Sequence, residues 1–529
     1  MPVPKMTRLS PALAAFLGLS VSALADVKLP ALISDNMVLL QDAKANVWGS
    51  ANPGEKVTAT LGAHSVSDTA DKAGKWRVKL EGLKPGPGMD MTIAGKNKLT
   101  VKNVAVGEVW IASGQSNMEM AVKLGKDSDK EIAEAKFPDI RVFTVTKKGS
   151  KTPLEDCMGK WEVATPENAE HFSAVGYFFV RELHQKLKQP VGLIHTSWGG
   201  TPCETWIPES GMKSNERFGE HWAKKLAEFP KAKAAYDKQL AESKVAAEKA
   251  KADGKPAPRP PRAPDGPDAL NVAPSGLYNG MIAPVAPYTI RGAIWYQGES
   301  NAGPTNRGSM DLYGQIFPVM IFSWRYEFAK AQGVPREESE FPFLFVQLAN
   351  FHPRHEQPTD SYWAQIREAQ TGSLEVPRTG MAVAIDIGEA ADIHPKNKQE
   401  VGHRLALSAL AQVYFQELEY SGPLYREMQI EDGKVRLNLS NAQDLKTTDG
   451  GPIKGFALAG EDRKFHWAQA KIDADHIVVS SPDVPNPVAI RYAWADNPDV
   501  NLVNGAGLPA SPFRSDKWKQ EPPAGSAGN

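Results

Sequence analysis

The chain has 529 residues, which is long enough for two or three domains. Apolar residues make up 41% and charged residues 23%, as is ordinary for a globular protein. The formal net charge is -1, so the charge balance gives no support to nucleic acid as a partner.

The first 25 residues have the pattern of a signal peptide. Lys5 and Arg8 precede an apolar run over residues 11–24, and the segment ends in the small-x-small sequence Ala23-Leu24-Ala25. The run is shorter than the roughly 20 apolar residues that span a bilayer. We therefore expect cleavage before Asp26, a secreted or periplasmic protein, and no membrane attachment after cleavage. An uncleaved anchor is the alternative.

Residues 26–104 show short alternating runs that are broken by turn residues. The segments "KVTATLG" and "KWRVKLEGL" are typical of strands, and "NPGE" and "KAGK" of turns. This pattern predicts an N-terminal domain resembling a β-sandwich.

From Val104 the pattern changes to buried strands that alternate with helices. A near-continuous apolar run is typical of a strand covered on both faces in a parallel sheet. Residues 105–419 are therefore predicted to form an α/β domain with helices on the sheet, closed by a helix from Pro395 to about Phe415. Its predicted strands are "VAVGEVWIASG", "IRVFTV", "VGLIHTSW", "RGAIWYQG", "PFLFVQLA" and "GMAVAIDI".

A charged insertion over about 213–270 interrupts this domain. Its first part is rich in Lys, Ala and Glu and predicts an exposed helix, split or kinked at Pro230. Its second part, "KPAPRPPRAPDGPD", predicts a stiff extended linker. From residue 420 to 529 the strand pattern returns, which predicts a C-terminal β-sandwich-like domain.

Neither metals nor cofactors are suggested by the sequence. The two cysteines, Cys157 and Cys203, leave their pairing open, and no HExxH or CxxC pattern is present. Thirteen tryptophans are a generous supply. Core packing explains most of them, and an exposed one would be a candidate platform for stacking a sugar.

Ser116 follows a predicted strand in the segment "WIASGQSNMEM". A serine at the carboxyl end of a sheet strand lies where α/β enzymes keep their reactive groups. Its hydroxyl and its own N–H supply a nucleophile and an oxyanion donor. Gln115 beside it is a candidate for substrate binding. Taken alone, Ser116 is better explained as a helix N-cap.

Two further segments place glycine turns after predicted strands. In "HTSWGGTPCETW", Gly199 and Gly200 lack a Cβ, so a backbone N–H there can approach a bound oxyanion. In "WYQGESN", Gln297 and Asn301 are candidate oxyanion donors, and Glu299 is a candidate to orient a histidine. Ordinary turns are the alternative in both cases.

The segment "DIGEAADIHPKNK" supplies a candidate general base. His394 precedes Pro395, a residue suited to the first helical position, and a nearby carboxylate would fix its tautomer. Asp386, Glu389 and Asp392 are the candidates for that carboxylate.

The blocks "GQSNM", "SWGGTP", "WYQGESN" and "DIHPKNK" together resemble the bacterial sialate O-acetylesterases, a branch of the SGNH-type hydrolases. The segments "VLLQ", "RYAWADNP" and "GLPASPFRSD" extend the resemblance over nearly the whole mature chain. It implies an SGNH-like parallel sheet and a metal-free serine esterase that releases acetate from O-acetylated carbohydrates, with O-acetylated sialic acids first among them. An esterase for acetyl xylan and a non-catalytic carbohydrate-binding protein are the alternatives.

The same resemblance implies roles for the candidate residues. Ser116 is the expected nucleophile and His394 the expected base, with the oxyanion held by Ser116 N–H, by a glycine of the Gly199-Gly200 pair and by the "QGESN" block. The spacing of Asp392 and His394 is one residue shorter than the common pattern of the superfamily. The acid is therefore expected to be Asp392, with Asp386 and Glu299 as alternatives.

Overall fold

A computed structural model describes residues 26–303, 307–474 and 476–520. The predicted signal peptide, residues 1–25, lies outside these ranges. None of the helices within them is long and apolar enough to cross a bilayer.

The first part of the chain forms mostly antiparallel strands, and β1 is the exception because it pairs parallel with β7. Strands β3, β4 and β6 belong to one sheet, and β2 pairs separately with β5. The strands are β1 (Val38–Leu40), β2 (Ala45–Ser50), β3 (Lys56–Leu61), β4 (His64–Thr69), β5 (Lys75–Leu80), β6 (Gly86–Ala94) and β7 (Lys98–Gly114).

Strand β7 connects this sheet to the centre of the molecule. Its first part pairs antiparallel with β6, from Lys98 to Val106, and its last part pairs parallel with strands from later in the chain. Every residue of β7 from Val104 onward is buried. One strand therefore passes from the N-terminal sheet into the central sheet without a break.

The central sheet is parallel, as the sequence predicts. Its strand order is β13-β12-β11-β7-β10-β8-β9, and only the edge pair β8–β9 is antiparallel. The added strands are β8 (Phe137–Thr144), β9 (Trp161–Ala164), β10 (Val191–His195), β11 (Gly292–Tyr296), β12 (Phe343–Gln347) and β13 (Thr379–Val383).

Helices of different lengths connect these strands. They are α1 (Ser116–Glu119), α2 (Ser128–Ala133), α3 (Pro166–Ala169), α4 (Ala174–Leu187), α5 (Glu209–Met212), α6 (Glu220–Ala252), α7 (Tyr313–Gln332), α8 (Tyr362–Gly372) and α9 (Lys398–Gln412).

Two tryptophans show that helices cover both faces of the sheet. Trp295 of β11 is in register with Ser113 of β7, which is three residues after Trp110. Because side chains alternate along a strand, Trp110 and Trp295 point to opposite faces. The ring of Trp110 contacts Phe179 of α4 at 5.1 Å, and that of Trp295 contacts Trp324 of α7 at 6.0 Å. Helices α4 and α7 therefore pack on opposite faces.

Two helix boundaries differ from the predictions. Helix α6 runs unbroken through Pro230, so of the predicted split or kink the split is wrong. No residue in its described range is buried. Helix α9 begins at Lys398, three residues after the predicted start at Pro395. The side chain of Asn397 accepts a hydrogen bond from Glu400 N at 3.3 Å and caps the helix there.

The C-terminal part contains two four-stranded antiparallel sheets, in the orders β14-β15-β20-β19 and β18-β17-β21-β23, and the small pair β16–β22. It has a hydrophobic core of its own, which includes Leu437, Phe456 and Ile477. The strands are β14 (Leu424–Glu431), β15 (Lys434–Ser440), β16 (Lys446–Thr447), β17 (Phe456–Ala459), β18 (Phe465–Trp467), β19 (Gln469–Asp473), β20 (His476–Ser480), β21 (Ala489–Tyr492), β22 (Leu502–Val503) and β23 (Phe513–Arg514).

Candidate active site

Ser116 lies at the carboxyl end of the central strand β7. Gly114, the last residue of β7, has a φ of +133° and is in register with Tyr296. A Cβ at Gly114 would lie 2.1 Å from the backbone oxygen of Tyr296, so only glycine fits this approach. The chain then turns, and half-buried Ser116 becomes the first residue of α1.

The glycine turn after β10 lies against Ser116. A Cβ at Gly199 would be 3.2 Å from the Cβ of Ser116. The N–H of Gly199 donates to Glu119 Oε2 at 2.5 Å, and Glu119 is also paired with Lys147 at 2.5 Å. The Gly199 N–H is thus engaged by a carboxylate, which leaves Gly200 as the stronger oxyanion candidate of this pair.

The charged insertion supports the same turn. Gly200 has a φ of +69°, and its carbonyl accepts a hydrogen bond from Arg307 Nη1 at 2.6 Å. Arg307 Nη2 donates to Asp265 at 3.0 Å, in the proline-rich part of the insertion. The insertion therefore helps to fix the backbone next to Ser116.

Gln297 and Asn301 are fully buried, and their side-chain amide protons donate hydrogen bonds within the protein. Gln297 Nε2 donates to the Thr201 carbonyl at 3.3 Å and to Asn301 Oδ1 at 2.8 Å. Asn301 Nδ2 donates to Glu204 at 3.0 Å and to the Ser309 carbonyl at 3.3 Å. A side-chain amide has two N–H donors, so neither residue has one left for an oxyanion. They hold the turns together instead.

Gln115 connects the Ser116 turn to the turn after β11. It is buried, and its side-chain oxygen accepts hydrogen bonds from Ser300 N at 3.2 Å and Gly298 N at 3.5 Å. The backbone N–H of Gln115 donates to the carbonyl of Tyr296 at 2.9 Å. These contacts fix the two strand ends relative to each other.

Asn117 connects the "GQSNM" block to the "DIHPKNK" block. Its Nδ2 donates to the backbone carbonyl of Ile393 at 3.0 Å and to Glu299 Oε1 at 2.5 Å. Its Oδ1 accepts from Lys398 Nζ at 2.5 Å. Because Asn117 follows Ser116 and Ile393 precedes His394, the two candidate catalytic residues lie on directly bonded segments.

Asp392 is the carboxylate in contact with His394. Its Oδ1 lies 3.5 Å from Nδ1 of the imidazole and accepts the backbone N–H of His394 at 2.9 Å. Burial and nearby Lys398 lower the pKa of His394, and Asp392 acts in the opposite direction. The imidazole is therefore biased toward the neutral form that accepts a proton.

The two alternative acids have other partners. Asp386 makes a two-pronged ion pair with Arg404, at 2.6 and 2.8 Å. Glu299 is buried and bonded to Asn117, and burial raises its pKa. Of the three carboxylates, Asp392 is the one whose contact with the imidazole is direct.

Lys398 and Asn117 belong to this site, and the sequence interpretation did not select them. Lys398 is fully buried, its ammonium lies 5.4 Å from the centre of the Tyr296 ring, and burial lowers its pKa to about 7. Both residues occur in the quoted blocks, "GQSNM" and "DIHPKNK". Their signal was a polar residue close to each catalytic candidate: Asn117 directly follows Ser116, and Lys398 lies four residues after His394.

Other reactive side chains nearby have structural surroundings. His195 is buried, its Nε2 lies 2.5 Å from Ser197 Oγ, and burial lowers its pKa to about 4. Cys157 and Cys203 are free thiols, and the latter is buried.

Comparison with known proteins identifies the family. Residues 106–252 and 270–411 match the family model described as carbohydrate esterase, sialic acid-specific acetylesterase. The gap between the matched ranges falls in the proline-rich part of the insertion.

Individual relatives cover almost the whole chain. Human sialate O-acetylesterase (Homo sapiens) is 31% identical, over 91% of this chain and 91% of the human protein. The rat enzyme of that name (Rattus norvegicus) is 32% identical, over 90% of this chain and 92% of its own. The crystal structure of a carbohydrate acetylesterase from Xanthomonas citri superimposes with a TM-score of 0.78 and 36% identity, covering 93% of this chain and 100% of that one.

The extent of these matches confirms the resemblance of the four blocks. The chain belongs to the sialic acid-specific acetylesterase family of carbohydrate esterases, and it is a carboxylic ester hydrolase.

Proposed function

We propose that the protein is a serine esterase that removes O-acetyl groups from sugars, first among them O-acetylated sialic acids. The observation that carries the proposal is the bonding of Asn117 to the Ile393 carbonyl, which brings the Ser116 and His394 segments together. The names of the relatives support the substrate class. We further propose an SGNH-type α/β domain over 105–419 between β domains at 26–104 and 420–529.

In this mechanism, Ser116 Oγ attacks the acetyl carbonyl while His394 accepts the hydroxyl proton. The N–H groups of Ser116 and Gly200 stabilise the negative charge on the carbonyl oxygen, where one such donor contributes about 10²–10³ in kcat. The C–O bond to the sugar then breaks, and His394 returns the proton to the sugar oxygen. Water attacks the acetyl-serine by the same route and releases acetate.

We propose that Asp392 stabilises the positive charge of His394 when the imidazole is protonated. An acid in this position fixes the tautomer and stabilises the imidazolium. Asp386 and Glu299 are proposed to act on stability and on loop position, because their partners are Arg404 and Asn117.

The test is acetate release from 9-O-acetyl sialic acid, acetyl xylan and a simple aryl acetate. We expect wild type to release acetate, with the highest kcat/KM on the sialic acid, and Ser116→Ala to release none while keeping its melting temperature. Ser67→Ala, at an exposed position of β4, is the matched control. Full activity in Ser116→Ala would contradict the mechanism, and a preference for acetyl xylan would reassign the substrate.

We also propose export to the periplasm or the exterior after removal of residues 1–25. Sequencing the N-terminus of the protein purified from its natural host should find Asp26. An N-terminus at Met1 would contradict export by cleavage.

A further inference from the structure

Trp467 is the most exposed of the thirteen tryptophans, all of which lie in the described ranges, with 43% of its surface accessible. It is the last residue of β18. Its indole Nε1–H donates to the backbone carbonyl of Glu356 at 2.8 Å. Because this N–H is the only polar group of the side chain, the ring is fixed in place and presents an apolar surface.

This ring lines an open cavity of about 390 Å³ between the C-terminal sheets and the segment that follows β12. The volume lies within the range of small-molecule pockets, roughly 300–1,000 Å³. The lining combines apolar and hydrogen-bonding side chains, namely Phe456, Pro358, Pro498, Arg354, Lys454 and Asp499.

The charged side chains of the lining, Arg354, Lys454 and Asp499, are all paired, and Asp449 beside the lining is a further partner. Arg354 pairs with Asp499 at 3.0 Å, and Lys454 lies 3.7 Å from Asp499 and 3.1 Å from Asp449. All four side chains are about half exposed, so they retain donors and acceptors that face solvent. A ring with a row of hydroxyl groups suits this lining better than a strongly charged ligand does.

The cavity lies near the carboxyl end of β12. Asn350, just after β12, accepts the Gly388 N–H at 2.6 Å and donates to Asn497 at 2.8 Å. In the sheet, β12 is two strands from β7, and neighbouring strands are about 4.8 Å apart. The cavity and Ser116 therefore both lie near the carboxyl edge of the central sheet.

We propose that this cavity is a second, non-catalytic binding site for a neutral saccharide unit of the acetylated glycan. One pyranose ring stacks on Trp467, and its hydroxyl groups bond to Arg354, Lys454 and Asp499. The proposal rests on the proposed function only in taking the substrate to be a carbohydrate.

Binding is tested by calorimetric titration of the full-length mature protein. The probes are xylohexaose and lacto-N-tetraose, which are neutral, and N-acetylneuraminic acid, which is anionic. None carries an O-acetyl ester, so the result does not depend on hydrolysis. We expect a neutral probe to bind, and Trp467→Ala to weaken that binding about tenfold or more. Trp467→Phe should retain part of it, and Tyr326→Ala, on exposed α7 surface, should match wild type.

Kinetics provide the second readout. In Trp467→Ala, KM for an acetylated polysaccharide should rise, so kcat/KM for that substrate should fall. The value of kcat/KM for an aryl acetate, which is too small to reach the cavity, should stay close to that of wild type. The proposal is overturned if neither neutral probe binds wild type, if only the anionic probe binds, or if Trp467→Ala binds as wild type does. If the protein binds a neutral saccharide but releases no acetate from sugars, the proposed function is refuted and the proposed binding site is supported.

Discussion

The ammonium of Lys398 lies 2.5 Å from Oδ1 of Asn117, a residue 281 positions earlier in the chain. Both side chains are buried. The side-chain amide of Asn117 also donates hydrogen bonds to Glu299 and to the Ile393 carbonyl. Buried amides and charges of this kind keep their position because an unpaired partner would cost free energy. The loop that carries His394 is thus fixed from inside the protein.

The first prediction concerns Lys398 and pH. Burial lowers its pKa in the folded protein to about 7, from 10.5 in its ordinary state. Between these values the unfolded chain binds the proton and the folded protein does not. The free energy of unfolding should therefore rise with pH in this window, by at most about 1.4 kcal/mol per pH unit, and fall as pH drops toward 7.

Urea unfolding at pH 6 and pH 9 measures this effect. Lys398→Met should lose the increase that wild type shows. Lys396→Met, at an exposed position in the loop just before α9, should keep it. An equal increase in wild type and Lys398→Met would contradict the assignment of Lys398.

The second prediction concerns the acid that acts on His394. Asp392→Asn removes the negative charge 3.5 Å from the imidazole while keeping an oxygen for the backbone N–H of His394. We expect kcat to fall by about 10²-fold, near the lower end for the loss of a base or its orienting acid. Because Asp392 raises the pKa of His394, the acid limb of the kcat/KM profile should move to lower pH.

Glu299→Gln is the comparison variant for this experiment. Its side-chain oxygen can still accept the Asn117 amide, so the loop is held and the acid limb should stay where it is in wild type. A downward shift of the acid limb in Glu299→Gln, with none in Asp392→Asn, would transfer the role to Glu299.

The third prediction separates Asp386 from catalysis. Its carboxylate makes two bonds to Arg404, whose side chain is only 5% exposed. Asp386→Asn should lower the free energy of unfolding by about 1–3 kcal/mol, because a buried guanidinium loses a charged partner. The pH profile of kcat/KM should be that of wild type. Chemical unfolding and the profile together check this, and unchanged stability with a shifted acid limb would contradict it.

The fourth prediction concerns the glycine turn. A Cβ at Gly199 would lie 3.2 Å from both the Ser116 Cβ and Glu119 Oε2, which is tighter than ordinary contact. Gly199→Ala should push the Ser116 turn away from its position and lower kcat, by up to about 10²-fold for a displacement near 1 Å. Steady-state kinetics on an aryl acetate measure the loss.

Gly219→Ala is the matched control, because a Cβ there would meet no described atom within 4 Å. Both variants should keep the melting temperature within a few degrees of wild type. Wild-type kcat in Gly199→Ala would show that the turn yields without moving Ser116.

The sequence by itself determined the elements on which the site is built. Apolar runs such as the end of β7 indicated strands covered on both faces, and the glycines that follow these strands indicated turns. The exposed character of α6 followed from its composition. The continuity of α6 through Pro230 did not follow from the sequence. The proline alone predicts a break, and the helix-forming residues on both sides of it outweigh that local preference.

Only the tertiary structure decided which partners the polar side chains of the site contact. Gln297 and Asn301 have the residue types of oxyanion donors, and their protons are taken by Thr201, Glu204 and other partners. The spacing of residues in the sequence barely distinguished Asp392, Asp386 and Glu299 as partners of His394. In the structure their side chains contact His394, Arg404 and Asn117, respectively. Hydrogen bonds have direction and a limited number of donors, so the role of a polar group depends on neighbours that lie far away in the chain. Strand pattern and glycine turns depend on near neighbours, and the sequence shows those directly.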